Sequence, residues 1–492
     1  MGTDTEKSFL APIKVAMVVH NSVLSDARVR KQARSLKAKN IDVHLFGYGE
    51  SFNSAKEIDG VPLTIVQKSS PVYIGTKFKN FYGHTIGVFI KKLKKTLYYS
   101  IYKNSKRLTF LSLFFLNLLI LCYFIFKNND ISAIDIFWPA NIILILFLLL
   151  KSYLKYFLKL IAKKLNDVQK KKPVPVAYRH ISNKLADAIA PGNFNVIHSH
   201  DIIGLMTAVK LKKAAPDTIV IWDAHELYTE VSYKTPDVAK FMGDVIRKSS
   251  KFVDHFTTIS SSFKDIYAKQ YPRLPKASIL MNATPKTVLE QKFDFLQQAA
   301  NLKPDQKILL FQGGLAEGRG IRILLDAAPR LPRDWSVVFM GNGRLQGLVN
   351  ERAEQHQADR PSDMACIVSV PSAPYDELAK WTSGATLGII PYENTSLNHV
   401  YCTPNKLWEY PNAGVPILAS DMVEMSKMIN QFGIGLLLPR DFTEDDIVNA
   451  VTDVTDDQLD EMRNNCLAYG QSENWEKYEP SLLAIYEEIQ KK

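Results

Sequence analysis

The sequence predicts an α/β protein of two doubly wound, parallel-sheet halves, with an apolar helical pair set into the first half. Three observations carry this. Buried-strand runs alternate with amphipathic stretches from Ile13 to Asn282, a second such series begins at Lys307, and one strongly apolar block with basic flanks interrupts the first series. At 492 residues the chain also exceeds one ordinary core.

The first half opens with KVAMVVH as a buried strand, ARVRKQARSLKAKN as an amphipathic helix and IDVHLFGYG as a second strand. After the apolar block, VPVAYRHISNKLADAIAPGN reads as helical, and NVIHSH, TIVIWD, HFTTIS and ASILMN read as strands. His20, His198, His200, Asp223, His225, Ser260 and Asn282 fall at the carboxyl ends of these strands, where such sheets bind ligands. The polar stretch after Thr284 marks the domain junction. The second series runs through KILLFQGG, SVVFMGNG, ACIVSVP, ATLGIIPY and PILASD, and NWEKYEPSLLAIYEEIQ forms a last amphipathic helix that could pack across the junction. The expected division is 1–285, with an insertion at 82–172, then 286–473 and a terminal helix at 474–492.

LTFLSLFFLNLLILCYFIF at 108–126 and AIDIFWPANIILILFLLL at 133–150 are each close to the roughly 20 residues that cross a bilayer as a helix. Residues 91–172 carry 16 Lys/Arg against three acids, a local excess of +13, which leaves −2 for the rest of a chain whose formal charge is +11. A basic excess confined to the flanks of an apolar block indicates a membrane surface and argues against nucleic acid. Both flanks are positive, so both ends should be cytoplasmic, whether the pair spans as a hairpin or re-enters. A pair of buried soluble helices is the alternative. Cys122, Cys366, Cys402 and Cys466 lack disulfide-framework or CxxC spacing, which fits a reducing compartment. No signal-peptide region opens the chain, so the first half should stay in the cytosol of a cell whose cytoplasmic or inner membrane carries the protein.

FQGGLAEGRG, Phe311–Gly320, is a glycine-rich strand-to-helix turn with Arg319 beside it, suited to phosphate or to a plain tight turn. WDAHELYTE puts Asp223, His225 and Glu226 at a strand end, where His225 could donate a hydrogen bond or its charge, or be incidental beside a capping Asp. In TPNKLWEYPNAGVPILASD, Thr403 suits a helix N-cap and Pro404 the first helical position, with Pro411 kinking or ending the helix. Asn405 and Glu409 then share a face. No metal constellation is apparent, since HSH and DAH lack closed-site zinc spacing and no acidic pair stands at a strand end.

DARVRKQARSL, WDAHELYTE, FQGGLAEGRGIRILLDA and CTPNKLWEYPNAGVPILASD, in this order and spacing, resemble the retaining glycosyltransferases of family 4, which have the GT-B fold. The resemblance covers all but the region from about Tyr82 to Lys172. It implies a UDP- or GDP-sugar donor held by the second half, an acceptor held by the first, and transfer without a metal or other cofactor. By that resemblance Glu409 takes the ribose hydroxyls, Arg319 the diphosphate beside Gly313 and Gly314, and the amides of Thr403, Pro404, Asn405 and Lys406 face the same diphosphate. His225 lies near the donor sugar, and Val370 and Pro371 line the base. Catalytic roles are implied for His225, Arg319 and Glu409, and the acceptor side is expected at Asp26, Arg28, His200 and Glu226.

Two departures stand out. Tyr401 occupies the position of a second acid eight residues before the ribose glutamate, and Gly314 replaces a basic residue often found in the diphosphate turn. Joined to the membrane block, the reading is a membrane-anchored glycosyltransferase acting on a lipid-linked acceptor in cell-surface glycan assembly. The rival readings are a non-catalytic membrane scaffold of the same fold, which Tyr401 favours, and a sugar-nucleotide epimerase.

Overall fold

The computed structural model describes residues 13–24, 26–50, 56–68, 174–231, 235–287, 289, 291–356, 361 and 364–491. The apolar pair expected at 108–126 and 133–150, with the rest of the 82–172 insertion, lies outside the described residues. Among the described residues no helix is long and apolar enough to cross a membrane.

The first sheet is formed by β1 (Lys14–Val18), β2 (Asp42–Gly49), β3 (Glu57–Ile58), β4 (Val61–Gln67), β5 (Val196–His200), β6 (Ile219–Ala224), β7 (His255–Thr258) and β8 (Ser278–Ile279) in the order β3-β4-β2-β1-β5-β6-β7-β8. All neighbours are parallel except the β3–β4 edge. The second sheet is wholly parallel: β9 (Lys307–Gln312), β10 (Trp335–Met340), β11 (Ile367–Val370), β12 (Leu387–Ile390), β13 (Ile417–Ser420) and β14 (Gly435–Leu438), ordered β11-β10-β9-β12-β13-β14. Helices cover both faces of such sheets, so their strands read as unbroken apolar runs. Trp335–Met340 is buried at every position and Lys14–Val18 at all but the first.

Each strand order reverses direction once, between β1 and β5 in the first sheet and between β9 and β12 in the second. Such reversals open a crevice at the carboxyl ends, because the connecting helices diverge to opposite faces there. His200, Gln312 and Ile390 end the strands that border them.

The structure adds elements that sequence patterning missed. The β3–β4 hairpin and β14 were not expected, and β8 is only two residues long where six were anticipated. The polar junction after Thr284 contains a helix, Phe295–Ala300, because Leu296 and Ala300 lie one turn apart and are both buried. The last helix, Trp475–Gln490, returns to the first sheet: Leu482, Ile485, Tyr486 and Ile489 join a core with Val15, Met17 and Leu36. Its first residue is pinned there by Trp475 Nε1 donating to Ser35 Oγ at 2.8 Å.

Candidate functional site

The two halves meet through direct hydrogen bonds between segments beyond the carboxyl ends of their strands. Leu227 N donates to Asn398 Oδ1 at 2.8 Å, Thr403 Oγ1 to the Ile259 carbonyl at 3.4 Å, and Ser260 Oγ to the Tyr401 carbonyl at 3.4 Å. Glu424, 3% exposed, accepts from Ser261 Oγ and Ser262 N at the start of the helix Ser261–Gln270. These contacts fix the cleft in which the candidate residues stand.

In the second half, β9 ends at Gln312 and the chain turns through Gly313, whose φ of +114° is a conformation L side chains rarely adopt. Space matters here as much as φ. A Cβ on Gly313 would stand 3.0 Å from Lys406 Nζ, and one on Gly314 would stand 3.0 Å from Arg319 Nη1. The glycines therefore admit two cationic side chains against the turn. This gives a physical reason for the departure at position 314: Arg319 already holds the place beside it, donating from Nη1 to the Gly314 carbonyl at 3.1 Å and lying over the Tyr392 ring at 5.8 Å. Gly320, which follows, is fixed by its N–H donating to Glu393 Oε1 at 2.9 Å.

The helix bearing Glu409 begins later than expected. It spans Lys406–Asn412, with Asn405 before it, so Thr403 is not the N-cap and Pro404 is not the first helical residue. The Thr403 hydroxyl instead donates across to the first half, at the Ile259 carbonyl. Pro411 lies inside the helix, one residue short of its end. Glu409 Oε2 accepts from Gln312 Nε2 at 2.7 Å, and the same Gln312 accepts from Thr382 Oγ1 at 2.9 Å. Gln312 thus orients the carboxylate.

Glu409 borders a cavity of about 200 Å³ between the halves, shared with Lys31, Arg34, Asn282, Asn405 and Asp376. Lys31 is buried and donates to Asn282 Oδ1 and the Ala283 carbonyl at 2.5 Å each. Burial first, then the nearby Arg28 charge, holds its ammonium well below the ordinary lysine range. Val370 ends β11 and is buried, with Pro371 exposed after it.

The first half presents a polar network. Asp26 caps the helix Ala27–Ala38, accepting from Val29 N at 3.1 Å, and also accepts from Asn21 Nδ2 at 2.7 Å. Arg28 faces the core, where its Nε and Nη2 donate to the two oxygens of Asp223 at 2.8 and 2.7 Å. Asp223 accepts further from Gln32 Nε2 and Thr257 Oγ1. His200 is fully buried, with Nδ1 3.3 Å from both Asp223 and His225 Nε2. Glu226 is half-buried, and its carbonyl accepts from Tyr267 Oη at 2.6 Å. Arg28 and His200 are therefore interior members of this network. His198, His200 and Asp223 bring ligand-type atoms within 4.8 Å of one another. A guanidinium on both Asp223 oxygens makes that arrangement an ion pair and a poor cation site.

Sequence reasoning missed Asp201, Lys31 and Gln312. Asp201 directly follows HSH at the end of β5 and has φ +59°, a region that Asp tolerates better than most residues. An acid at such a junction was the available signal.

Residues 306–457 match the family described as Glycosyl transferases group 1. No curated protein matches the chain in sequence. Among solved structures, the chain is similar to sucrose-phosphate synthase from Thermosynechococcus elongatus at 13% identity, covering 97% of this chain and 99% of that one with a TM-score of 0.62. It is similar to Anabaena Alr3699/HepE in complex with UDP-glucose at 9% identity, covering 97% and 100%, TM-score 0.59. It is also similar to the lipopolysaccharide outer core galactosyltransferase WaaB at 10% identity, covering 97% and 100%, TM-score 0.52. The chain therefore has a two-domain, GT-B-like α/β fold with parallel sheets.

Proposed function

We propose that this protein is a retaining, family-4-type glycosyltransferase that moves a sugar from a UDP- or GDP-sugar to a lipid-linked acceptor at the cytoplasmic face of a membrane. One coincidence carries the reading: the segment matching the glycosyltransferase family spans both the Gly313–Gly314 turn with its cations Arg319 and Lys406, and Glu409. Guanidinium and ammonium beside a glycine turn suit a diphosphate, and a carboxylate at a cavity wall suits ribose hydroxyls. In the transfer, the anomeric carbon–phosphate oxygen bond breaks, the bond to the acceptor oxygen forms on the same face, and the departing diphosphate takes the acceptor proton. Arg319 and Lys406 stabilise the charge that grows on that leaving group, without a metal. Lysines around the apolar pair hold the protein at an anionic surface, raising the effective concentration of a lipid-linked acceptor.

The test incubates the purified full chain with membrane lipid extract and a panel of UDP- and GDP-sugars, with and without chelator, and measures released nucleoside diphosphate. Release that depends on the lipid and survives the chelator is expected. No release with any donor would favour the scaffold reading that Tyr401 supports, and sugar conversion without lipid would favour an epimerase.

Arg319→Ala should weaken nucleoside diphosphate binding by about 1.5–3 kcal/mol, the worth of a charged hydrogen bond, while leaving a nucleoside without phosphates unaffected. Calorimetry with both ligands checks it, and equal losses would make Arg319 a structural residue of the turn.

A further inference from the structure

The chain passes from the first half to the second beyond β8, and the segment Asn282–Pro285 is gripped from both sides. On the first-half side, Lys31 Nζ in the helix Ala27–Ala38 donates to Asn282 Oδ1 and to the Ala283 carbonyl at 2.5 Å each. Ser35, one turn along the same helix, accepts from Trp475 Nε1 at 2.8 Å. Trp475 N in turn donates to the Thr284 carbonyl at 2.8 Å, and the Trp475 ring centroid lies 5.0 Å from Lys31 Nζ. On the second-half side, Asn282 Nδ2 donates to Asn405 Oδ1. Asn412 Nδ2 donates to Thr284 Oγ1 and, at 3.1 Å, to the Pro285 carbonyl.

Glu409 stands between those two asparagines. Asn405, Glu409 and Asn412 follow at helical spacing, so they share one face of the helix Lys406–Asn412, and all three border the cavity between the halves. The Asn405 carbonyl accepts from Trp408 N and Glu409 N at 3.0 Å each, which makes Asn405 the anchor of the turn that carries the carboxylate. Lys31 is 3% exposed, and a lysine that deep is stable only where its polar head is satisfied. A methionine would cover Trp475 with a similar stem. What lysine adds is a pair of N–H donors, and both go to the segment that holds the Glu409 helix.

We propose that Lys31 is a positioning residue for the donor site, which fixes the Glu409 carboxylate from the opposite half through Asn282 and Asn405. The donor role rests on the transferase reading above, in which Glu409 takes the ribose hydroxyls. Gln312 orients the Glu409 side chain, whereas the Lys31 relay orients the backbone beneath it. Donor affinity therefore depends on a first-half residue that acts at a distance from the nucleotide.

Hydrogen exchange on the full chain without nucleotide reads the relay. Lys31→Met should speed exchange of the Trp408 and Glu409 amides roughly tenfold, the worth of about one lost hydrogen bond. Asn282→Asp should do the same, because it keeps the acceptor for Lys31 and removes only the Nδ2 donor to Asn405. The links act in series, so Lys31→Met combined with Asn405→Ala should exchange no faster than Asn405→Ala alone. β10 is the control and should not change. Calorimetry with UDP and with GDP then reads the donor site. The nucleotide that binds the wild type should bind Lys31→Met and Asn282→Asp roughly tenfold more weakly, and in turnover the donor KM should rise with kcat near wild type.

Unchanged exchange in Asn282→Asp, or additive effects in the double variant, overturns the relay. Faster exchange with wild-type nucleotide affinity overturns the donor role and leaves Lys31 a structural lysine. Weaker binding in Lys31→Met with wild-type binding in Asn282→Asp also overturns the proposal, since Lys31 would then meet the nucleotide itself. If Lys31→Met does not fold, Asn282→Asp decides, because it leaves Lys31 paired. A wild type that binds neither UDP nor GDP sinks the transferase reading and the donor role with it, while exchange still decides whether Lys31 holds the helix.

Discussion

Replacing Arg28 by alanine is expected to destabilise the first half by about 3–5 kcal/mol, the cost of breaking a buried ion pair by removing one partner. Arg28 and Asp223 are 3% and 0% exposed, and the guanidinium meets both carboxylate oxygens. In the intact protein burial works most strongly against the ionised Asp223, yet Arg28 and then His225 hold it well below the usual carboxylate range. Without Arg28, Asp223 keeps donors from Gln32, Thr257 and His225 but loses its principal counter-charge. The loss should appear as a lower midpoint in urea unfolding. Combining Arg28→Met with Asp223→Asn should recover part of it, because no unpaired charge then remains buried. A loss under about 1 kcal/mol for Arg28→Ala would mean that solvent reaches Asp223 and that the pair is not interior.

Arg28 also shows where sequence reasoning stops. DARVRKQARSL identifies an amphipathic helix, and the apolar runs identify the strands, because burial on both faces of a parallel sheet leaves a local signature. What a polar side chain does once folded has no such signature. Asp223 lies 195 residues from Arg28, and only the pairing of β6 beside β5 and β1 brings them together. Of the residues expected at strand ends, His200 ends β5 and His225 follows β6, whereas His198 lies in the middle of β5 and Asn282 three residues past β8; the turn at Gly313 is where the glycines indicated. Gly314 could be read from sequence only as a missing charge, since the guanidinium that fills its space arrives from Arg319 in three dimensions. The hairpin at Glu57–Gln67 was passed over because it is short and its alternation weak, and β14 because GLLL is too brief to separate from a buried helix segment. Nor does the local sequence show that the helix starts only at Lys406 and that the Thr403 hydroxyl before it reaches Ile259, 144 residues away.

Glu409→Ala should weaken nucleoside diphosphate binding roughly 10²- to 10⁴-fold while leaving the fold intact. The carboxylate would accept two ribose hydroxyls, and hydrogen bonds to a charged group are worth about 1.5–3 kcal/mol each. Its orientation does not depend on the ligand, because Gln312 Nε2 already holds Oε2 at 2.7 Å and is itself anchored by Thr382 and, through its backbone N–H, by the Tyr410 hydroxyl at 3.2 Å. That preorganisation lowers the ordering cost of binding. Glu409→Gln should lose less, since one carbonyl oxygen remains, and Gln312→Ala should lose less again, since it frees the carboxylate without removing it. A nucleoside lacking phosphates separates the contributions: Glu409→Ala should weaken it by the same factor as the diphosphate, whereas Arg319→Ala should not weaken it at all. Calorimetry across these variants and ligands checks the set, with unfolding midpoints as the control for structure. Wild-type affinity in Glu409→Ala would remove the ribose assignment, and a loss confined to the diphosphate would move Glu409 from the nucleoside to the phosphate end of the site.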